Sequence, residues 1–87
     1  MSNGDHVKKI IITTVNQEEY MISDEEQIHY TLDCLNKIEN KEIAGKGFTF
    51  IPDQEGIFTD DEILIDQIYM SMDYVATIKF KLALKRD

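Results

Sequence analysis

The first regular element that the pattern of apolar and polar positions predicts is a β-strand at residues 7–15. This segment is β-branched almost throughout, a composition typical of strands. Successive side chains of a strand point to opposite faces, so Ile10 and Ile12 share one side and Ile11 and Val15 share the other. Because both faces are apolar, we expect this strand to be central in its sheet or covered on each side.

A short return strand is predicted at residues 18–22, and a helix follows it. Ser23 and Glu26 have the spacing of a capping box, in which the serine side chain caps the first free N–H groups of a helix. The apolar residues that follow recur at helical spacing: Ile28, Leu32, Leu35 and Ile38. We therefore predict a helix over residues 24–40, with one apolar stripe.

A third strand is predicted at residues 46–51, where apolar and polar positions alternate up to Pro52. A turn is expected at residues 53–56. The segment after it is ambiguous, because residues 59–62 repeat the capping-box pattern and the apolar positions up to Met72 would share a helical face.

The alternative for that segment is a hairpin, which we favour: a strand over residues 62–71, a turn at 72–74 and a final strand over 75–84. The final strand has the clearest alternation, with these residues on one side: Ile78, Phe80, Leu82 and Leu84. A helix ending at Asp73 would leave almost no room to turn into that strand, and no glycine is present to close it.

The predicted element order is therefore β-β-α-β-β-β, in a single α+β domain spanning residues 1–87 in which residues 1–6 are expected to be flexible. We expect a mainly antiparallel sheet with one helix packed on a face. A chain of 87 residues builds only a small core, so we also expect stabilisation by homodimerisation.

Composition and charge exclude several classes of protein. The chain has 17 acidic and 9 basic side chains, a net charge of −8, which argues against direct binding to nucleic acid. No apolar run approaches the ~20 residues that cross a bilayer. Hydrophobic residues make up 43% of the chain, enough to build a core, which argues against disorder.

Cysteine usage and the N-terminus bear on the compartment. Cys34 is the only cysteine, which excludes an internal disulfide and favours a reducing environment. The first residues contain no apolar region of the kind found in signal peptides. We therefore expect a cytoplasmic protein.

The negative charge is concentrated in the middle of the chain. Residues 17–73 carry 15 acidic and three basic side chains, a net charge of −12, whereas residues 1–16 carry +1 and residues 74–87 carry +3. The first acidic cluster comprises Glu18, Glu19, Asp24, Glu25 and Glu26. The second acidic cluster comprises Asp53, Glu55, Asp60, Asp61, Glu62 and Asp66.

Carboxylates at regular intervals can imitate the phosphates of a nucleic acid. If the segment near Glu62 is extended, residues two apart lie about 6.5–7 Å from each other on one face. Carboxylates accept bidentate hydrogen bonds from arginine much as phosphates do. Both acidic clusters are therefore candidate partner-binding residues. The alternative is that they are solvated faces that favour solubility and helix capping.

The chemical motifs in the sequence are weak, and we expect no enzymatic activity, no cofactor and no metal. His29 and Asp33 are one helical turn apart, but two ligands do not make a structural zinc site. Cys34 has no histidine placed in sequence to activate it, so we expect a small buried thiol. Residues 53–56 lack the spacing of a calcium loop.

Two further groups each have a structural and a functional interpretation. The basic stripe on the last strand comprises Lys79, Lys81 and Lys85. It either protects an edge strand against aggregation or pairs with an acidic face of a second subunit. The Tyr/Met group near the predicted turn comprises Tyr69, Met70, Met72 and Tyr74. Its members are either core residues or an exposed interface.

In size, charge and lack of a catalytic motif, the chain resembles the small acidic host-takeover proteins of bacterial viruses, several of which are DNA mimics. It is similar to those that block the nucleoid protein HU. The resemblance implies a non-enzymatic inhibitor, often a homodimer, that presents carboxylates to the basic surface of a DNA-binding protein in the cytoplasm of a bacterial host. It implies no direct contact with nucleic acid or membrane. The alternative function is a small interaction module or adaptor that binds through the Tyr/Met group.

Overall fold

A computed structural model of the chain describes residues 6–43 and 45–84. Its elements are, in chain order, β1 (Val7–Thr14), β2 (Glu19–Ile22), α1 (Glu25–Glu39), β3 (Gly47–Phe50), β4 (Ile57–Phe58), β5 (Ile63–Leu64), β6 (Ile68–Ser71), a 3₁₀ turn (Met72–Tyr74) and β7 (Val75–Leu82). The strands pair antiparallel, and the α+β fold class predicted from the sequence is confirmed. The predicted flexibility of residues 1–5 lies outside the described residues, as does Lys85 of the basic stripe.

The central strand of the main sheet is β1, which lies between β2 and β7. Ile10 is paired with Ile22 on one side and with Phe80 on the other. Ile10 and Ile12 are completely buried, as their alternation in the sequence predicted. Ile11, on the opposite face, is only half-buried. The strand is therefore central in its sheet but fully covered on one face only.

A two-stranded ribbon, β3–β6, encloses the core together with the sheet and α1. Phe48 is paired with Met70 across the ribbon, and Phe50 with Ile68. The rings of Phe48 and Phe50 are stacked, with centroids 5.6 Å apart. The buried apolar core consists of Val7, Ile10, Ile12, Ile22, Ile28, Phe48, Phe50 and Met70. Because α1 packs on both β1 and β3, it connects the sheet to the ribbon.

The start of α1 differs from the prediction. The residue that caps the helix is Asp24, whose carboxylate accepts a hydrogen bond from the Gln27 backbone N at 3.1 Å. The prediction of Ser23 as the cap was therefore wrong. The hydroxyl of Ser23 instead donates to the carboxylate of Asp53 at 2.6 Å. Both Ser23 and Asp24 have a side-chain oxygen that could accept a hydrogen bond from the free N–H groups of the helix N-terminus. Because the Ser23 hydroxyl is bonded to Asp53, Asp24 caps the helix.

The ambiguous segment is extended rather than helical, as we favoured, but the predicted hairpin of residues 62–71 with 75–84 is wrong, because β6 pairs with β3 and β7 pairs with β1. A different hairpin forms earlier in the segment, where β4 pairs with β5. Thr59 Oγ1 accepts a hydrogen bond from Glu62 N at 3.1 Å, which is the bond that a capping box would make. Thr59 N, however, donates to Glu62 O at 2.8 Å and thereby closes a hairpin turn. The predicted strand over residues 62–71 is consequently split into β5 and β6. We refer to residues 57–65 as the arm.

Two buried threonines allow a test of the packing. Thr31 is completely buried, and its Oγ1 has no hydrogen-bond partner among the described residues. Thr14 is also buried, but its Oγ1 accepts a hydrogen bond from Glu18 N at 3.1 Å. We expect Thr31→Val to raise the free energy of unfolding by about 1 kcal/mol, because it removes a buried group that lost its water without gaining a partner.

The matched control is Thr14→Val, which should lower the free energy of unfolding by roughly 0.5–1.5 kcal/mol, because a hydrogen bond is lost. Urea denaturation followed by circular dichroism measures both changes. Effects of the same sign in the two variants would contradict the described environments of these hydroxyls.

Candidate partner-binding surface

The two acidic clusters, which are separated in sequence by α1 and β3, are joined by direct contacts. The carboxylate of Asp53 accepts hydrogen bonds from Ser23 N at 2.8 Å and from Ser23 Oγ at 2.6 Å. Asp53 N in turn donates to Met21 O at 2.7 Å. Asp53 is thereby held beside the end of β2 and the start of α1, where the residues of the first acidic cluster are located.

A second contact positions Asp66 near the same place. The side-chain amide of Gln54 donates to Asp66 O at 2.8 Å and accepts from Asp66 N at 2.7 Å. Glu19, Asp53 and Asp66 line one open groove with a volume of about 400 Å³. We call the exposed carboxylates brought together here the joined acidic surface; it comprises Glu18, Glu19, Asp24, Glu25, Glu26, Asp53 and Asp66.

Glu18 and Tyr20 form the edge of this surface on β2 and the turn before it. Tyr20 Oη donates a hydrogen bond to Glu18 Oε2 at 3.4 Å. The pKa of Tyr20 is raised above its ordinary value of 10.0. The main cause is partial burial of the phenol, and the negative charge and the hydrogen bond of Glu18 add to it. Tyr20 therefore remains a neutral hydrogen-bond donor at physiological pH.

The remaining carboxylates of the second acidic cluster lie elsewhere. Asp60, Asp61 and Glu62 are in the turn at the tip of the arm, and Glu55 is exposed in the loop that leads into β4. Asp60, Asp61 and Glu62 do not follow one extended strand, because the chain reverses direction at residues 59–62. The structure therefore assembles one acidic surface at the base of the arm and a separate acidic tip.

Few basic side chains neutralise these carboxylates. Within the described residues, the closest basic atom to any member of the two clusters is His29 Nε2, 4.0 Å from Glu25 Oε1. Lys37 instead pairs with Asp33, which belongs to neither cluster, at 3.0 Å. This hydrogen bond, together with the charge of Asp33, raises the pKa of Lys37 above its ordinary value of 10.5. All members of both clusters are exposed, so their charges face solvent.

The charge is polarised across the main sheet. On the sheet face that carries Ile11, the register places Glu19 on β2 at one edge, and Lys79 and Lys81 on β7 at the other. Lys9 of β1 lies opposite Lys81. Lys79 and Lys81 are thus separated from Glu19 by the central strand.

The chemical motifs considered in the sequence do not converge on a site. No group of three His, Cys, Asp or Glu side chains within residues 6–43 and 45–84 could hold a metal ion. Asp33, the proposed neighbour of His29, is paired with Lys37. Cys34 is a half-buried thiol that packs against the core.

The Tyr/Met group is divided between the core and the surface. Met70 is buried and Met72 packs against the core, whereas Tyr69 and Tyr74 are exposed. Tyr69 lies over Gly47, where a side-chain Cβ would force the exposed phenol ring of Tyr69 to move aside. Tyr69 and Tyr74 also line an open groove of about 320 Å³.

The residues that sequence reasoning missed are the apolar side chains of the arm. They are exposed in the structure: Ile57, Phe58, Ile63, Leu64 and Ile65. The signal was present in the sequence as two runs of consecutive apolar residues. Consecutive residues of a strand point to opposite faces, so an isolated two-stranded hairpin cannot bury both.

Comparison with protein-family models, with curated proteins and with solved structures finds no match for this chain. Among the described residues, no helix has the length and apolar character required to cross a membrane.

The contact between Ser23 and Asp53 leads to a prediction about the joined acidic surface. In a double-mutant cycle of Ser23→Ala and Asp53→Ala, we expect a coupling energy of roughly 0.5–1.5 kcal/mol, because each single substitution already removes the hydroxyl–carboxylate hydrogen bond. Urea denaturation of the four proteins measures this coupling. Additivity within about 0.3 kcal/mol would show that this hydrogen bond does not join the clusters.

Proposed function

We propose that this protein is a non-enzymatic inhibitor that occupies the basic DNA-binding surface of another protein by presenting carboxylates in place of phosphates. The observation that supports the proposal is the joining of the two acidic clusters through the Ser23–Asp53 and Gln54–Asp66 contacts. A nucleoid protein such as HU, whose DNA-binding surface is basic, is the kind of target that the resemblance stated above suggests.

The exposure of the carboxylates determines how such binding would proceed. Because they have few basic neighbours, the lysines and arginines of a partner can reach them without first breaking an internal ion pair. Arginine binds a carboxylate through two parallel hydrogen bonds, as it binds a phosphate. The field of the acidic surface accelerates encounter with a basic protein, and salt screens it over a Debye length of about 10 Å at 0.1 M.

Solubility and helix capping explain part of the acidic composition. Asp24 caps α1, and Glu25 and Glu26 lie in its first turn, where negative charge is favourable. Neither effect requires Asp53 and Asp66 to be held beside the first acidic cluster, nor the lysines of β7 to lie on the opposite edge of the sheet. These two features favour a binding surface.

The proposal predicts that the protein displaces labelled double-stranded DNA from purified HU, measured by fluorescence anisotropy, and that displacement weakens steeply as salt is raised. A site variant combines Glu18→Gln, Glu19→Gln, Glu25→Gln and Glu26→Gln. It leaves the capping residue and the Ser23–Asp53 contact in place. We expect it to bind HU roughly tenfold or more weakly, because each lost carboxylate removes an ion pair with the target.

A matched control variant combines Asp33→Asn, Glu39→Gln, Glu42→Gln and Asp73→Asn, which are the acids of residues 17–73 outside the two clusters. It has the same net charge as the site variant, so it should retain binding within about threefold if the location of the carboxylates decides affinity. Equal losses in both variants would indicate a net-charge effect. The proposal is wrong if the wild-type protein neither displaces DNA from HU nor retains any basic DNA-binding protein from a bacterial lysate at low salt.

A second candidate function is an interaction module that binds through exposed aromatic side chains. The groove lined by Tyr69 and Tyr74 favours it. In that case Tyr69→Ala together with Tyr74→Ala would abolish capture of the partner, whereas the site variant would capture it normally.

A further inference from the structure

The arm exposes more apolar surface than an isolated hairpin can stabilise. Its strands have two residues each, and a lone two-stranded hairpin is marginally stable in water. Phe58 is 77% exposed and Ile57 67% exposed. The radius of gyration is 14.4 Å, compared with about 12 Å expected for a compact chain of this length, consistent with a projecting arm. Contiguous exposed apolar side chains of this kind mark an interaction site.

A second apolar surface lies beside the edge strand β7. This surface contains a pocket of about 550 Å³, which is lined by His6, by Leu32 of α1 and by Phe80, Leu82 and Leu84. Leu84 is 77% exposed and Leu82 56% exposed. The volume lies within the range of pockets that bind apolar groups. We call this surface the β7 pocket.

We propose that the arm of one copy docks in the β7 pocket of a second copy, and that the reciprocal contact closes a two-fold symmetric dimer. Charge complementarity selects this arrangement. The tip of the arm carries Asp60, Asp61 and Glu62, whereas β7 carries Lys79 and Lys81 on the face opposite Phe80. Because β7 is an edge strand, an arm that docks along it reaches both the apolar pocket and the lysines.

Direct pairing of β7 with β7 of the second copy is the simplest competing arrangement. It would place the basic stripes of the two copies next to each other, and like charges on neighbouring strands are destabilising. It would also leave the arm uncovered. Arm exchange instead covers the arm and the β7 pocket of both copies and brings carboxylates to lysines.

The apolar area that this dimer would bury approaches that of an interface of standard size. Complete burial of one large apolar side chain corresponds to roughly 60–120 Å² of surface at 25 cal/mol per Å². The exposed apolar side chains of the arm and the β7 pocket then supply about 430 Å² per copy, or about 860 Å² for two. An interface of standard size, about 1,600 Å² and 56–65% apolar, needs roughly 900–1,000 Å² of apolar area. The two surfaces provide most of this requirement.

The dimer goes beyond the proposed function. It directs Asp60, Asp61 and Glu62 towards the lysines of the second copy, and leaves the joined acidic surface of each copy available to a partner. Two such surfaces related by a two-fold axis would match a target that is itself a dimer.

The test compares the wild-type protein with Phe58→Asp, an arm variant, and Leu84→Asp, a pocket variant, by sedimentation velocity over a range of concentrations. Both positions are highly exposed, so neither substitution disturbs the core. We expect the wild-type protein to sediment with twice its chain mass of 10.1 kDa. Each variant alone should be a monomer at concentrations where the wild type is dimeric, because each lacks both arm–pocket contacts.

An equimolar mixture of the two variants distinguishes arm exchange from other dimers. Each mixed pair restores one arm–pocket contact, so the mixture should dimerise where neither variant does alone. The control is Tyr74→Asp, an exposed apolar position outside both surfaces, which should remain dimeric. A monomeric wild-type protein, loss of dimer in only one of the two variants, or failure of the mixture to associate would each overturn the proposal. None of these outcomes depends on binding to HU.

Discussion

Burial of the β1 isoleucines is the constraint on which the rest of the structure depends. Ile10 and Ile12 can be removed from water only if α1 and the β3–β6 ribbon cover the same face of the main sheet. With β1 in the centre, β2 and β7 become the two edges. A chain this short can bury few side chains beyond those in this core. The arm, Phe80 and Leu82 are left outside it, and the edges retain their contrasting charges.

The acidic surface follows from the same arrangement. Once the ribbon packs against the sheet, the loop that leaves β3 passes the end of β2, and Asp53 meets Ser23 there. The carboxylates repel one another, and this repulsion costs stability. The two hydrogen bonds that Asp53 accepts from Ser23 offset part of that cost. An acidic surface that is held together by uncharged donors retains its full negative charge.

The arm and the joined acidic surface divide the negative charge into two parts with different surroundings. At the tip of the arm, carboxylates are combined with apolar side chains, a composition suited to a permanent interface with a complementary surface. At the base, carboxylates surround polar groups and an open groove, which suits an exchangeable, salt-sensitive partner. In the proposed dimer, the lysines of β7 face the acidic tip of the second copy's arm.

The sequence by itself determined the helix, the central strand, the last strand and the α+β class. Each of these depends on a local periodicity of apolar residues, and the packing in the structure agrees with that periodicity. It also identified the acidic clusters as groups. Only the tertiary structure decided that Asp24 rather than Ser23 caps α1, and that residues 59–62 close a hairpin rather than start a helix. In both cases one local pattern fits two hydrogen-bonding arrangements, and contacts between distant or opposing strands select one of them. The joining of the clusters and the exposure of the arm depend on which residues the small core has room to bury, and no local pattern encodes that.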